Sequence, residues 1–356
     1  MILLEKSFTK DLYKARFRAQ EEEDGLRLDQ FVMLRFENWS RQIIKKKIDA
    51  SEIFIETREG KQRPSSKVRN HDIVQVTTPF KAEDGETWKG EVLKLENELP
   101  IVHQEKDYIV VTKPAFMATH PTGKHLFHCV TVYLEAELNM PVQSVHRIDR
   151  ETSGILVLGK NSKKAMEITK FFEHSQVKKA YFFIGKNVEN KELPNEALNK
   201  NRLGTEEEGL KRVYIESYPE DDSRGKHAET HFKIIEKIGD IVIGLAFPKT
   251  GRQHQIRVHA KDLGYPLIGD KLYLGSYPMF QRFKDGYAEP EDFEAMILPR
   301  HALHAIGIRV PFKDQPKTFI STIPKDLLEY LGTLMDKKSL DQLREQIQMT
   351  IKETLA

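Results

Sequence analysis

The sequence contains almost no cysteine and has no long apolar run. Its 356 residues include one cysteine, Cys129, which excludes an internal disulfide and zinc sites built from several cysteines. Cys129 precedes the apolar residues 130–132, so we expect an inert, packed thiol. No apolar run reaches the roughly 18 residues of a transmembrane helix. The first residues also lack the order of a secretory signal, and we expect a cytoplasmic protein.

Several motifs of nucleotide and hydrolytic enzymes are also missing. There is no P-loop, no dinucleotide fingerprint and no G-x-S-x-G elbow, which disfavours ATP, GTP, NAD and serine-hydrolase chemistry. His254 and His259 could suggest a metal site, but Arg252 and Arg257 stand beside them and would repel a divalent cation. We expect neither a metal nor a cofactor.

Net charge is only +2, so a nucleic-acid partner has to be argued from the local distribution of charge. Residues 26–79 hold 11 lysines and arginines against 7 acidic residues. Ser40 predicts the N-cap of a helix over 41–48, with Ile43, Ile44 and Ile48 inward. The basic residues at 41 and 45–47 would then form a positive face suited to phosphates, although a merely solvated helix face is the alternative.

The apolar pattern divides the chain into five segments. Residues 1–25 are polar and predict an arm, and 80–98 predict a linker. Strands at 53–55 and 73–76 complete a small α/β domain over 26–79. A larger domain covers 99–322, and a helical extension follows at 323–356. Many strands with few helices between them predict an α+β fold with a mixed, largely antiparallel sheet. We expect the excursion 186–226 to be loop-rich and 275–299 to be irregular.

The stretch 145–160 is the centre of the larger domain. Asp149 lies between Arg147 and Arg150, just ahead of the apolar run 155–158, which predicts a buried strand. Nearby cations keep such a carboxylate ionised. Taken alone, this pattern is more typical of a surface loop with a local ion pair.

Two resemblances sharpen these patterns. Residues 26–77, with R-L-D, a helix starting S-R and strands ending H-D-I-V-x-V, resemble the S4 RNA-binding fold. They depart from it at two turns: residues 50–52 stand where a glycine is usual, and His71-Asp72 replaces the usual Gly-Asp. The blocks H-R-I-D-R-E-T-S-G, K-A-Y, T-G-R-Q-H-Q-I-R-V-H, G-Y-P-L-I-G-D and L-H-A occur in order over 101–315. Together these blocks resemble RluA-type pseudouridine synthases, which often have an S4-like module first.

The second resemblance implies a fold, a reaction and residue roles. Uridine isomerisation needs no cofactor or metal, and Asp149 matches the essential aspartate, which either attacks C1′ or removes a ribose proton. Tyr181 matches a tyrosine near the flipped base, and Arg257 matches the arginine that pairs with the aspartate. Arg147 matches the residue that fills the space of the flipped uridine. Further substrate or scaffold contacts are expected from Ile256, Arg252, His254 and Lys179, and S4-like RNA contacts are expected from Arg27, Arg41, Lys45, Lys46 and Lys47.

Without the resemblance, Tyr181 would be interpreted as a core tyrosine, and His146, His254 and His259 as residues that lock turns. We expect a monomer acting on RNA, with ribosomal RNA favoured over transfer RNA and no membrane partner. The alternatives are a non-catalytic S4-type RNA-binding or ribosome-assembly protein and, more remotely, a hydrolase of another glycosidic bond. Isomerisation explains the retention of Asp149, Tyr181 and Arg257 together.

Overall fold

The computed structural model describes residues 1–8, 12–36, 39–79, 86–93, 98–121, 128–205 and 213–356. Parts of the predicted linker (80–85 and 94–97) and of the excursion (206–212) lie outside these described residues. The chain divides into two compact units, one of residues 1–85 with 117–142 and one of residues 86–116 with 143–356. Residues 117–142, predicted within the larger domain, are therefore grouped with the first unit. Within the described ranges, no helix is long and apolar enough to cross a bilayer.

The first unit is built on a four-stranded antiparallel sheet of order β1-β2-β4-β3. Its strands are β1 (Ile2–Phe8), β2 (Leu12–Arg18), β3 (Ile53–Ile55) and β4 (Ile73–Pro79). Its helices are α1 (Leu28–Met33), α2 (Arg41–Asp49) and α3 (Val130–Leu138). Cys129, just before α3, is buried as expected. The similarity of this unit to the S4 fold stays a prediction.

The prediction of an N-terminal arm was wrong. β2 pairs with β4 along its whole length, and Tyr13, Ala15 and Phe17 are buried in the core of the unit. The signal was the alternation of apolar and polar residues from 13 to 18, which has the period of a strand with one buried face. The acidic run that follows, Glu21–Glu23, forms a short 3-10 helix.

Helix α2 begins as predicted, with the Ser40 hydroxyl accepting a hydrogen bond from the Ile43 amide. Ile44 and Ile48 are buried, but Ile43 is 42% exposed and does not face the core. Residues four apart share one helix face, and Ile43 lies off that face. In the two turns that depart from the S4 pattern, Ser51 and His71 have φ of 58° and 69°. Both therefore adopt the left-handed conformation that glycine adopts without cost.

The second unit contains a ten-stranded sheet whose main path is β12-β15-β16-β11-β17-β10-β8-β7, with β18 paired to β17 and β9 to β10. Its strands, and the short hairpins β5-β6 and β13-β14, are β5 (Thr87–Trp88), β6 (Glu91–Val92), β7 (Ile101–Gln104), β8 (Tyr108–Lys113), β9 (Gln143–Ser144), β10 (Ser153–Gly159), β11 (Lys178–Lys186), β12 (Glu196–Asn199), β13 (Arg202–Gly204), β14 (Glu216–Tyr218), β15 (Thr230–Ile238), β16 (Ile241–Pro248), β17 (Leu303–Val310) and β18 (Lys317–Ile320). Its helices are α4 (Ser162–Glu173), α5 (Gln255–Asp262), α6 (Tyr277–Asp285), α7 (Pro290–Met296), α8 (Lys325–Leu334) and α9 (Lys337–Leu355).

The sheet is mixed and largely antiparallel, which confirms the predicted fold class. The β10–β17 pair is parallel, and it aligns Ser153 with His304 and Gly154 with Ala305. Gly154 has a φ of 118°, and a Cβ there would lie 2.3 Å from the carbonyl oxygen of Ala305. Only glycine permits this close approach, which fixes where the chain enters β10.

The C-terminal helices are part of the core of the second unit, which corrects the prediction of an extension. In β11, Ala180, Phe182 and Ile184 belong to the core cluster that includes α8 and α9. Tyr181 and Phe183 alternate with them and belong to a different cluster, on the opposite face. Packing of α8 and α9 on one face of β11 thus anchors the strand that carries Tyr181 on the other face.

Two other predictions need correction in this unit. Residues 275–299, predicted as irregular, contain α6 and α7. Residues 86–92, predicted as linker, form the β5-β6 hairpin, and the Trp88 ring stacks on Phe283 of α6 with centroids 5.8 Å apart. Aromatic stacking on residues more than 190 positions away gives no local sequence signal.

Candidate active site

A cavity of about 420 Å³ opens in the second unit, over the face of β11 that carries Tyr181. It is bordered by the loop before β10, by α4, and by the loop and first turn of α5. All eight residues predicted for catalysis or substrate binding line this cavity: Asp149, Tyr181, Arg257, Arg147, Ile256, Arg252, His254 and Lys179. The structure therefore brings together side chains that are up to 110 positions apart in the sequence.

Asp149 lies at the inner edge of the loop that leads into β10, and its side chain is 28% exposed. Its Oδ2 accepts a hydrogen bond from Nη1 of Arg257 at 3.1 Å. In the described part of the chain, Oδ1 accepts no hydrogen bond. Burial acts to raise the pKa of this carboxyl, but His254, Arg257 and His301 outweigh burial and lower the pKa to about 2. Asp149 is therefore ionised at neutral pH with one oxygen available.

Arg257 is held between two carboxylates. Its Nε and Nη2 donate to the two oxygens of Asp270, at 2.6 and 2.9 Å, and its Nη1 donates to Asp149. Asp270 is fully buried and also accepts from the amides of Leu272 and Tyr273, both at 3.1 Å. A bidentate pair fixes the plane of the guanidinium, so Asp270 aims the third contact at Asp149.

Two histidines contact the turn that follows Asp149 and hold it in place. The Thr152 hydroxyl lies 2.7 Å from Nε2 of His301, and the Ser153 hydroxyl lies 2.8 Å from Nδ1 of His304. Both histidines are buried, and burial lowers the pKa of each below its usual value. These hydroxyls bond to protein groups, which agrees with a role in shaping the turn.

Tyr181 lies in the middle of a row of paired residues that crosses the sheet. Gly154 pairs with Ala305, Ala305 with Tyr181, Tyr181 with Ala246, and Ala246 with Phe232. The small neighbours on either side leave space above the sheet for the tyrosine ring and for the cavity. Burial and the charge of Asp149 raise the pKa of Tyr181, so its hydroxyl keeps its proton.

Three other predicted site residues differ in whether their charged groups already bond to the protein. The Lys179 ammonium donates to the Thr250 carbonyl at 2.9 Å, and Nε of Arg252 donates to the His227 carbonyl at 2.9 Å. Both residues therefore have scaffold contacts. Arg147 is exposed at the cavity rim, and its guanidinium has no hydrogen bond or ion pair to any described residue. Of these three side chains, that of Arg147 is the one whose charged group makes no hydrogen bond or ion pair with a described residue and can bind a ligand without breaking one.

The turn-locking histidines behave as the simpler interpretation expects. Nε2 of His146 accepts a hydrogen bond from the Val157 amide at 3.0 Å, and its ring stacks on Phe172. His259 lies 2.9 Å from the Thr230 hydroxyl and is fully buried. Neither ring is placed as a metal ligand. No group of three histidine, cysteine, aspartate or glutamate side chains in the described ranges could hold a metal ion.

Comparison with known proteins identifies the domain. Residues 107–262 match the family model "RNA pseudouridylate synthase". This chain contains an RNA pseudouridylate synthase domain. The uncharacterized RNA pseudouridine synthase YlyB of Bacillus subtilis is 26% identical over 89% of this chain and 96% of that protein. Ribosomal large subunit pseudouridine synthase D of Yersinia pestis is 25% identical over 92% of this chain and 96% of that protein.

Structural comparison supports the same fold. The solved structure of human RNA pseudouridylate synthase domain containing 4 has a TM-score of 0.52 and 21% sequence identity. The match covers 66% of this chain and 92% of that one. The pseudouridine synthase fold implied by the sequence resemblance is thus confirmed.

Sequence reasoning missed four residues that support the pseudouridylate synthase site. Asp270 holds Arg257, and Glu151 pairs with Lys271 at 3.2 Å beneath the loop of Asp149. Glu86 pairs with Arg150, which is next to Asp149. Arg300 is only 1% exposed and pairs with Asp326 of α8. Asp270 stood in a matched block, G-Y-P-L-I-G-D, so a buried partner for Arg257 could have been sought there.

The basic residues predicted in the first unit are only partly available for RNA. Arg27 and Arg41 both pair with the buried Asp29, at 2.9 and 3.1 Å. Lys47 is 15% exposed and pairs with Glu52 at 2.7 Å, so it does not point outward as predicted. Lys45 and Lys46 are exposed, with no ion-pair partner among the described residues. Lys45 also lines a groove with Arg27, Lys61 and Arg63.

Proposed function

We propose that this RNA pseudouridine synthase modifies ribosomal RNA and uses Asp149 as its catalytic carboxylate. The observation that carries the proposal is the ionised Asp149 at the wall of the cavity, which is held through Oδ2 by Arg257 while Oδ1 accepts no hydrogen bond from a described residue. Isomerisation breaks the bond from C1′ of the ribose to N1 of the uracil and forms a bond from C1′ to C5. The proton at C5 is lost, and N1 gains one, so no redox partner or group donor is needed.

Asp149 has two possible roles in this step, attack on C1′ or removal of a ribose proton. Both roles require an ionised carboxylate with an unshared oxygen. Arg257 supports either role, because its contact with Oδ2 orients the carboxylate and keeps it charged. Tyr181 borders the same cavity with a protonated hydroxyl, and we propose that it contacts the flipped uracil ring. Ile256 would supply an apolar contact to the same ring.

Arg147 is suited to binding the RNA around the flipped nucleotide. Its guanidinium is at the exposed rim of the cavity and has no described partner, so RNA contacts would break no existing bond. A flipped uridine leaves a gap in the base stack, and flipping costs a few kcal/mol. A planar guanidinium can stack in that gap and bind phosphate. We propose that Arg147 fills it.

Ribosomal RNA is the proposed target because of the relatives and of the charge on the first unit. The proteins of Yersinia pestis and Vibrio cholerae that this chain resembles are named ribosomal large subunit pseudouridine synthase D. In the first unit, Lys45, Lys61 and Arg63 line a groove of about 630 Å³ that is suited to a phosphate backbone. We propose that this groove adds sequence-independent affinity for RNA.

The decisive assay is tritium release from RNA that carries 5-tritiated uridine. Wild-type protein should release tritium from ribosomal RNA without breaking the chain, and digestion should yield pseudouridine. A protein that binds RNA but releases no tritium from any cellular RNA would support the non-catalytic alternative. Free uracil in place of pseudouridine would indicate a hydrolase. Mapping pseudouridines in a deletion strain should show sites lost from ribosomal RNA; losses confined to transfer RNA would contradict the proposed target.

A further inference from the structure

His254 is held in an unusual position at the cavity. It precedes α5 with a φ of 54°, a left-handed conformation that residues other than glycine rarely adopt. The two ring nitrogens face different groups. Nδ1 lies 2.9 Å from the hydroxyl of Tyr273, and Nε2 lies 3.9 Å from Oδ2 of Asp149. The fold thus orients this ring with one nitrogen towards a tyrosine and the other towards the proposed catalytic carboxylate.

The hydrogen bonds of Tyr273 determine which nitrogen of His254 carries the proton. Tyr273 is buried, and its hydroxyl oxygen accepts a hydrogen bond from the Ile215 amide at 3.0 Å. Burial raises the pKa of this phenol, so the hydroxyl keeps its proton. Among the described residues, the one acceptor within reach of that proton is Nδ1 of His254. A neutral imidazole that accepts at Nδ1 carries its hydrogen on Nε2.

The Nε2–H group therefore points towards Asp149. The opposite tautomer would place a lone pair of Nε2 against the carboxylate oxygen, which is repulsive. The charged and titratable groups that face the ring are Arg257, Asp149, Asp270 and His301, besides Tyr273. Burial, and then Arg257, lower the pKa of His254 to about 4, so the ring is neutral near pH 7.

We propose that His254 is a positioning residue for Asp149, and that Tyr273 selects the tautomer of His254 that can donate to the carboxylate. When substrate enters, the Nε2–Oδ2 distance closes to hydrogen-bond range, and Asp149 is then held by Arg257 and His254 together. A neutral donor aligns the carboxylate without handing it a proton. This inference rests on the proposed role of Asp149. It gives His254, expected only as a substrate or scaffold contact, a specific role, and it adds Tyr273.

The tautomer can be measured without any assay of activity. Nitrogen-15 NMR of protein with labelled histidine should give His254 a protonated Nε2 and an unprotonated Nδ1 across neutral pH. In Tyr273→Phe, the two tautomers should become mixed. A protonated Nδ1 in the wild-type protein would overturn the proposal, whatever the enzyme does to RNA. Loss of tritium release with the expected tautomer would instead count against the proposed function.

Kinetic measurements on variants test whether Tyr273 affects catalysis through His254. Tyr273→Phe should lower kcat by about tenfold, the value of a hydrogen bond to a charged group, with little change in KM. His254→Gln keeps an N–H donor near the position of Nε2 and has no tautomers, so it should retain much more activity than His254→Leu. Adding Tyr273→Phe to His254→Gln should then cause no further loss of kcat. Equal losses in both backgrounds would overturn the selection of the tautomer by Tyr273.

The matched control is Tyr265→Phe, which also removes a buried tyrosine hydroxyl. That hydroxyl has no hydrogen-bond partner in the described structure, so its loss should leave kcat unchanged. Thermal unfolding of every variant separates stability from catalysis, since Tyr273→Phe also strips the Ile215 amide of its acceptor. A stability loss would be the same in both His254 backgrounds, whereas the loss of kcat should not be. Equal activity of His254→Leu and wild type would also overturn the proposal.

Discussion

Asp29 and Asp149 are both aspartates held by arginine, one in each unit, yet their oxygens are used differently. The Asp29 side chain is 0% exposed, and its two oxygens accept from Arg27, Arg41 and the Gln30 amide. Asp149 is partly exposed, and one oxygen has no described partner. A carboxylate whose acceptor sites are used by the fold stabilises the fold. A carboxylate that is aligned but has one oxygen without a hydrogen bond is available for chemistry. Replacement by asparagine should therefore lower kcat at Asp149 and lower the free energy of unfolding at Asp29.

Asp149→Asn should give the largest effect on catalysis. An amide can neither attack C1′ nor take a proton, so we expect kcat to fall by about 10³-fold or more. Thermal stability should change little, because the single bond to Arg257 can be replaced by the amide oxygen. Tritium release and RNA affinity measured on the same preparation check this expectation. Substantial turnover by Asp149→Asn would remove the residue from its proposed role.

Arg257→Lys should have the next largest effect. A lysine offers one charge in place of a planar fork, and that charge would stay with the buried Asp270. Asp149 would lose its charged hydrogen bond, and we expect kcat to fall by about 10- to 100-fold.

The pH profile gives Arg257→Lys a separate readout. Arg257 is among the groups that lower the pKa of Asp149 to about 2, so its replacement raises that pKa towards the usual range for aspartate. The acidic limb of kcat/KM should move to higher pH, and the loss should be greater at pH 5 than at pH 8. An acidic limb that did not move would show that Arg257 does not control the charge of Asp149.

Much of this site was predictable because its residues stand in short motifs that occur in the order of a known family. The stretch 145–160 places a carboxylate ahead of a strand, and the resemblance of the other blocks to that family supplied Tyr181 and Arg257. The supporting contacts were not predictable. Asp270, Glu86 and Arg300 act through partners that tertiary packing brings to them, and a buried ion pair has no periodicity to detect. Likewise, nothing in the sequence shows that Tyr273 bonds to His254.

The secondary-structure elements also divide into those that the sequence predicts and those that it does not. The helix α2 and the strand β10 were found within a residue or two, because burial imposes a clear period on the helix and a continuous apolar run on the strand. The strands of the predicted arm were missed because an acidic run masked a short alternation. The helices α6 and α7 were missed because they are short and few of their side chains are buried, and Phe283 and Phe293 pack on Trp88, far away in the sequence. Local pattern thus predicts elements with a broad buried face and misses those stabilised by single distant contacts.

Asp29→Asn applies the substitution of Asp149 to the other carboxylate. The amide would turn an N–H₂ group towards Arg27 or Arg41, which leaves a buried donor unsatisfied. We expect the free energy of unfolding of the first unit to fall by about 2 kcal/mol. Chemical denaturation followed by the fluorescence of Trp39, which is buried in this unit, should show the loss. The kcat of the folded protein should stay within about twofold of wild type; a large fall would mean that Asp29 also serves catalysis.

The smallest expected effect is on the salt dependence of RNA binding, and it should differ between neighbouring lysines of α2. Lys45 and Lys46 have no described ion-pair partner, whereas Lys47 pairs with Glu52 and lies 5.1 Å from the centre of the Trp39 ring. If the exposed lysines contact phosphates, Lys45→Gln with Lys46→Gln should reduce the salt slope of RNA binding by up to about 2. Lys47→Gln should leave that slope unchanged and cost stability only. Filter binding over a range of salt concentrations checks both, and equal slopes for the two variants would mean that α2 is a solvated face without a role in RNA binding.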